Sequence, residues 1–292
     1  MKEMIPMYNK NIGLVLEGGA MRGLFTAGVI DVLMENGIEF PAFVGVSAGA
    51  AFGCNYKSRQ IGRALRYNKR FCRDPRYCSF RSLFKTGDVF GAQFCYHEVP
   101  NTLDPFDGKA FNENPMAFYL VASDVETGKP FYKRLDRADD TAYEWIRASA
   151  SMPIVSRVVE LDGKKFLDGG VTDSIPLAFM ERQYDRNVVV LTRPRDYQKQ
   201  PASKPWLYRL TLRKYPNMLR AVTERHLMYN EQRAHVFAQE KAGKAFVICP
   251  DKPLEVGRME HDPEQLQKAY DTGRQTALRQ LEALKRFMEY DH

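Results

Sequence analysis

Two apolar runs near the start of the chain, 11–16 and 40–44, each lead through a glycine-bearing turn into a segment with helical spacing. A strand, a loop, a helix and a second strand in that order close over a parallel sheet, whose two faces must then be covered by helices. The second turn is the tighter constraint. Gly45-Val46-Ser47-Ala48-Gly49 stands between the apolar run and the small residues Ala50-Ala51. A strand that turns sharply into a helix strains its turn residue, and glycines two positions to either side relieve the crowding and leave the serine side chain exposed at the strand's end. The helix beginning there aims unpaired N–H groups and a positive dipole end at whatever the serine touches.

The chain has 292 residues, 44% of them hydrophobic. That is enough for one α/β domain, expected over 8–195, and a mostly helical extension packed on it over 196–292. The fold class expected is three-layer α/β with a mostly parallel central sheet flanked by helices. A formal charge of +7 favours anionic surfaces but lacks the density of a nucleic-acid binder, so no nucleic acid is expected as partner. No apolar stretch approaches the roughly 18 residues of a membrane helix. Met1–Pro6 shows no secretory pattern, and the five cysteines form an odd set without a C-x-x-C pair. Reduced thiols in a cytoplasmic protein follow.

Along the chain, 11–16 reads as a buried strand and Leu24 to Asn36 as a helix that stops at Gly37. Residues 57–76 hold eight Lys/Arg and one acid, Asp74. Arg59, Arg63, Arg66, Arg70 and Arg73 recur at helical spacing. They form a solvated basic face, or a contact for anionic membrane headgroups if the substrate is a lipid. Further strands are expected at 116–122, 129–135 and 187–191, the second at an edge, and a helix at 141–151. Residues 158–167 form a hairpin around Asp162-Gly163 with a type I′ signature. It delivers Asp168-Gly169-Gly170 at its far end. After a polar, proline-bearing loop at 194–205, helices at 217–241 and 263–290 flank a strand at 245–248.

A serine hydroxyl attacks an ester only when a base takes its proton and donors receive the developing oxyanion. Ser47 is the candidate nucleophile. The glycine-rich turn Gly18-Gly19-Ala20-Met21-Arg22-Gly23, at a helix N-terminus, presents successive backbone N–H groups to an anion. Gly19 and Ala20 are the donors of choice, with Arg22 adding charge or bracing the loop. For the base, His226, His235 and His261 are available by chain order for a triad, but none follows an identifiable strand end. Asp168 is handed over at a strand end, and Asp173 is the nearest alternative carboxylate.

The Gly-Gly-x-x-Arg-Gly loop after the first strand, Gly-x-Ser-x-Gly after the second and Asp-Gly-Gly downstream together resemble the patatin-like phospholipases. An Ala148-Ser149-…-Pro153 block adds to the likeness, which runs from about Ile12 to Leu191. The resemblance implies a Ser-Asp dyad that hydrolyses lipid acyl esters without a histidine or cofactor. Ser47 would be the nucleophile and Asp168 the base, with Gly18, Gly19, Ala20 and Arg22 in the oxyanion loop. Gly23, Gly45, Gly49, Gly169 and Gly170 would support the motifs. Ala20 departs from the pattern, standing where the family's loop usually has its middle glycine. The tail after about 200 resembles the C-terminal extension of one bacterial subgroup.

Three other readings compete. A dinucleotide site lacks the middle glycine and the acid after strand two, and no Lys-Ser/Thr pair follows the loop for a phosphate loop. A non-catalytic relative would bind anionic lipid or protein through 57–76 and react with nothing at Ser47. Metal chemistry finds only Cys95 with His97, and Cys72 with Cys78, neither with ligand spacing, so no metal is expected.

Overall fold

The computed structural model describes residues 7–289. Met1–Pro6, read for a secretory pattern, and Tyr290, the expected end of the last helix, lie outside the described residues. The chain begins with β1 (Met7–Tyr8), β2 (Ile12–Leu16), α1 (Gly23–Glu35), β3 (Ile38–Glu39), β4 (Ala42–Val46), α2 (Ala48–Lys57) and α3 (Arg63–Phe71). Its middle adds α4 (Phe80–Thr86), α5 (Gly108–Glu113), β5 (Ala117–Asp124), β6 (Lys129–Leu135), α6 (Asp140–Ser149), β7 (Val159–Leu161), β8 (Lys164–Asp168) and α7 (Leu177–Met180). The remainder supplies β9 (Arg186–Val190), α8 (Pro205–Thr211), α9 (Pro216–Lys241), β10 (Ala245–Ile248) and α10 (Pro263–Glu289).

Five strands, β10-β9-β2-β4-β5, lie parallel in that order. β6 and β8 pair antiparallel with β5, and β7 with β8. Every residue of β2 and β4 is buried, as parallel strands covered on both faces require. Alternation along β2 sends Leu14 and Leu16 into a core with Phe25, Val29 and Leu33 of α1, and Val15 into a second core with Leu177 of α7 and Val236 of α9. These two cores separate the three layers. The expected hairpin forms, with Asp162 at φ +50° and Gly163 at φ +72°, both turn residues left-handed as type I′ demands.

The C-terminal segment is built into this framework: β10 extends the sheet beyond β9, and α10 lies along α1. The two helices cross at glycines. A Cβ at Gly28 would collide with the Tyr270 carbonyl, and one at Gly273 with the Phe25 carbonyl. Beside this crossing the buried Asp31 carboxylate accepts from Tyr270 Oη at 2.7 Å and from the Gly62 amide at 2.8 Å.

The basic stretch 57–76 is not one helical face. α2 runs on through Lys57, the chain turns at Arg59 (φ +56°) and Gly62 (φ +74°), and α3 covers only Arg63–Phe71. Arg63 points inward, 4% exposed, onto the Asp104 carbonyl and Asn55. It cannot serve the membrane contact expected of it. Arg66 binds Asp104, Arg59 binds Glu39, and Arg70 and Arg73 donate to the Leu103 and His261 carbonyls. Arg63, Arg66 and Arg70 thereby tie the 103–104 segment to α3. Among the described residues no helix is long and apolar enough to cross a membrane.

Burial pushes the Asp31 carboxyl up to about 6. The folded chain therefore holds this proton where the unfolded chain has lost it, so stability falls as pH rises through about 6. Urea unfolding of Asp31→Asn, which keeps an acceptor for both donors, is expected to lose that component. Relative to the native chain the variant gains on the order of 1–3 kcal/mol between about pH 4 and 7. An unchanged difference across that range would contradict it.

Candidate active site

Ser47 joins β4 to α2 at φ +55° and ψ −121°, a left-handed backbone that a non-glycine residue holds only under constraint. The constraint is visible on both sides. A Cβ at Gly45 would lie 2.6 Å from the Gly49 carbonyl oxygen, and one at Gly49 would collide with the Leu16 carbonyl at the end of β2. The Ser47 amide donates to Ser149 Oγ at 2.9 Å, and Ser149 Oγ donates on to the Val121 carbonyl at 2.6 Å. Ser149 thus pins the turn to β5, giving the Ala148-Ser149 block a physical role.

Asp168 arrives from the opposite direction. β6 occupies one edge of β5 from Phe118 to Asp124. On the other edge β4 ends with Val46 opposite Val121, and β8 ends with Asp168 opposite Ala122. The two strands run head-on and stop at adjacent positions, so Ser47 and Asp168 meet across the gap. The Asp168 carboxylate is 3% exposed and accepts from the Gly170 amide at 2.8 Å. A Cβ at Gly169 would collide with the Val121 carbonyl, so only glycine lets the chain leave β8 here. Burial raises the Asp168 pKa; the Arg225 charge, a hydrogen bond from the Ser47 side chain and the Gly170 amide oppose that rise.

The 18–23 loop closes a third side. A Cβ at Gly18 would stand 2.7 Å from the Val46 carbonyl oxygen and 3.0 Å from Ser47 Cβ, so this backbone lies directly against the turn. Among the described residues the amides of Gly19 and Ala20 donate to no protein acceptor. Ala20 sits at φ +49°, adopting the conformation for which a glycine would be the easier choice. Arg22 is mostly buried, and desolvation with the Arg193 charge brings its pKa down to about 10.

The other candidates lie elsewhere. Asp173 accepts from Tyr132 Oη and Gln232 Nε2, both at 2.6 Å. His235 pairs with Glu181, while ring nitrogens of His226 and His261 face the Thr223 and Cys72 carbonyls. Among the described residues no histidine lines either cavity that meets at Ser47. His97 binds Glu144, and the partly buried Cys95 thiol, whose pKa desolvation raises, donates to the Tyr77 carbonyl.

One of those cavities is apolar, walled by Phe52, Tyr67, Tyr77, Val99, Pro100 and Ile146. The other is polar and holds residues that carry no motif: Glu17, Arg193, Lys199, Arg225, Tyr229 and Arg258. Glu17 accepts from Tyr229 Oη at 2.5 Å and from the Thr192 amide at 2.6 Å, tying the end of β2 to α9. Three stretches of the C-terminal half thus converge on Ser47, which only tertiary packing reveals.

Residues 14–180 match the family described as patatin-like phospholipase, and residues 215–289 match a domain of unknown function (DUF6363). The Escherichia coli protein YjjU, described as uncharacterized, is 29% identical over 85% of this chain and 71% of its own length. A Mycobacterium tuberculosis protein described as uncharacterized and of the NTE family is 26% identical over 57% of this chain and 44% of its own. Lysophospholipase NTE1 of Scheffersomyces stipitis is 25% identical over 63% of this chain, which spans only 12% of that protein. Among solved structures, VipD from Legionella pneumophila covers 94% of this chain at 11% identity with a TM-score of 0.47.

Ser149→Ala would strand the buried Ser47 amide without its acceptor. Urea denaturation is expected to show a loss of about 1–3 kcal/mol. No loss would mean that Ser149 does not hold the turn.

Proposed function

The chain belongs to the patatin-like phospholipase family, and on that premise we propose that it is a serine acyl-hydrolase acting on lipid esters through a Ser47–Asp168 dyad. The observation that carries this reading is the head-on meeting of β4 and β8 on one edge of β5, which sets a strained serine against a buried carboxylate.

In the proposed sequence Ser47 Oγ attacks the acyl carbonyl carbon while its proton passes to Asp168. The carbonyl oxygen, now an anion, is received by the free amides of Gly19 and Ala20. The carbon–oxygen bond to the alcohol half then breaks, and the departing oxygen takes the proton from Asp168. A water repeats the steps: its proton goes to Asp168, its oxygen to the acyl carbon, and the fatty acid leaves as Ser47 Oγ recovers a proton. A carboxylate is ordinarily a weak base toward a hydroxyl. Burial raises the basicity of Asp168, which works in the required direction. The apolar cavity beside Ser47 suits an acyl chain.

A fluorophosphonate probe is expected to label the native chain and to fail on Ser47→Ala. Asp168→Asn should lower kcat about a thousand-fold. His226→Ala, His235→Ala and His261→Ala should each keep most of the activity. An unlabelled native chain that hydrolyses no ester would overturn the hydrolase reading, and collapse of a single histidine variant would replace the dyad by a triad.

The pH profile gives a separate check. Asp168 must be ionised to accept the proton, so log kcat/KM should rise through an acid limb lying above the ordinary carboxylate range. Arg225 stabilises the ionised form, and Arg225→Gln should therefore move that limb to higher pH. A limb that stays put or moves down would contradict the assignment of Asp168 as base.

A further inference from the structure

The polar cavity beside Ser47 is lined by five basic side chains: Arg22, Arg193, Lys199, Arg225 and Arg258. Among the described residues none of the five forms an ion pair, whereas Arg63, Arg66 and Arg274 elsewhere each reach a carboxylate. The two acids lining the same cavity are engaged: Glu17 by Thr192 and Tyr229, Asp168 by Gly170. The Nε atoms of Arg22 and Arg225 are buried with no partner among the described residues. Lys199 and Arg193 instead lie over the Tyr229 and Tyr197 rings, at 4.8 and 4.5 Å from the centroids.

Five basic side chains facing two acids in a partly desolvated hole leave an excess of positive charge, which is unfavourable. The cost shows in Lys199, whose pKa burial and the charges of Arg225 and Arg258 bring down to about 7. A bound anion removes that cost. Four of the five basic residues, Arg193, Lys199, Arg225 and Arg258, lie beyond the matched stretch 14–180. They come from the loop after β9, from α9 and from the loop after β10, so the C-terminal segment builds most of this wall.

We propose that the basic cavity binds the phosphate of the substrate's alcohol half, so that the protein selects acyl esters whose head group is anionic and carries no ammonium. This rests on the hydrolase reading. Ser47 lines both cavities, so an ester carbonyl held there has an apolar slot for its acyl chain on one side and the cations on the other. Guanidinium groups hold phosphate oxygens through paired, charge-assisted hydrogen bonds. A choline head group would bring its own cation into the same surroundings, where like charges repel.

The test compares short-chain, monomeric substrates with one acyl group: an acylglycerol 3-phosphate, the corresponding choline phosphodiester and an uncharged monoacylglycerol. The native chain is expected to favour the acylglycerol phosphate in kcat/KM at least ten-fold over the choline ester. Arg225 and Lys199 are the charges that act most strongly on Asp168, so R193Q/R258Q, which leaves both in place, is the variant of choice. It should cut that preference ten-fold or more, and R193K/R258K should restore much of it. Glycerol 3-phosphate should bind Ser47→Ala in calorimetry and lose most of its affinity when R193Q/R258Q is added.

Fluorophosphonate labelling reports on Ser47 separately. A native chain that labels but prefers the choline or uncharged ester sinks the head-group proposal alone. A preference that survives R193Q/R258Q sinks it as well. A native chain that neither labels nor hydrolyses sinks the hydrolase reading itself. If inorganic phosphate speeds hydrolysis of the uncharged ester instead of competing with acylglycerol phosphate, the cavity holds a free anion and the proposal falls.

Discussion

The site depends on one sheet edge carrying two strands that run toward each other. β4 and β8 share the same side of β5 and end at Val121 and Ala122. Strands in a single direction would carry the two chain ends past one another; opposed strands bring them face to face. The antiparallel β7–β8 hairpin is therefore more than an addition to a parallel sheet. Its direction turns the end of β8 back toward the end of β4. Ser149 and Gly169 both engage the Val121 carbonyl at this junction, one by donating to it and the other by leaving room for it.

Electrostatics then distinguish the two halves of the site. Burial raises the pKa of the Asp168 carboxyl, and Arg225, Ser47 and the Gly170 amide oppose that rise. The apolar cavity and the cationic one meet at the same serine, so a molecule spanning both must be amphipathic. The tail supplies much of the cationic side and, through Tyr229, braces Glu17 at the end of β2. It belongs to the site as well as to the scaffold.

What is legible in the sequence is what is local. The strand-turn-helix around Ser47, the glycine loop before α1 and the Asp162-Gly163 hairpin each place their own conformational demand on a few adjacent residues. Those demands appear in the structure as positive φ at Ser47, Ala20, Asp162 and Gly163. The basic stretch 57–76 misleads because its helical spacing runs across Arg59 and Gly62, where the backbone turns left-handed. Arg63 is then free to face inward and satisfy the Asp104 carbonyl. Lys199, Arg225 and Arg258 carry no periodic or motif signal, since what unites them is a cavity formed by a loop, a helix and another loop. The crossing of α1 and α10 is hidden for the same reason: Gly28 and Gly273 look like helix defects until each is seen against the other helix's carbonyl.

The most direct measurement is rapid-quench mass mapping of the protein during turnover of a short-chain chromogenic ester. A Ser47 nucleophile predicts one acyl group, removable by hydroxylamine, on the peptide that contains Ser47, formed and lost at rates compatible with turnover. Steady hydrolysis with no acyl group at Ser47, or with the acyl group on another residue, would contradict it.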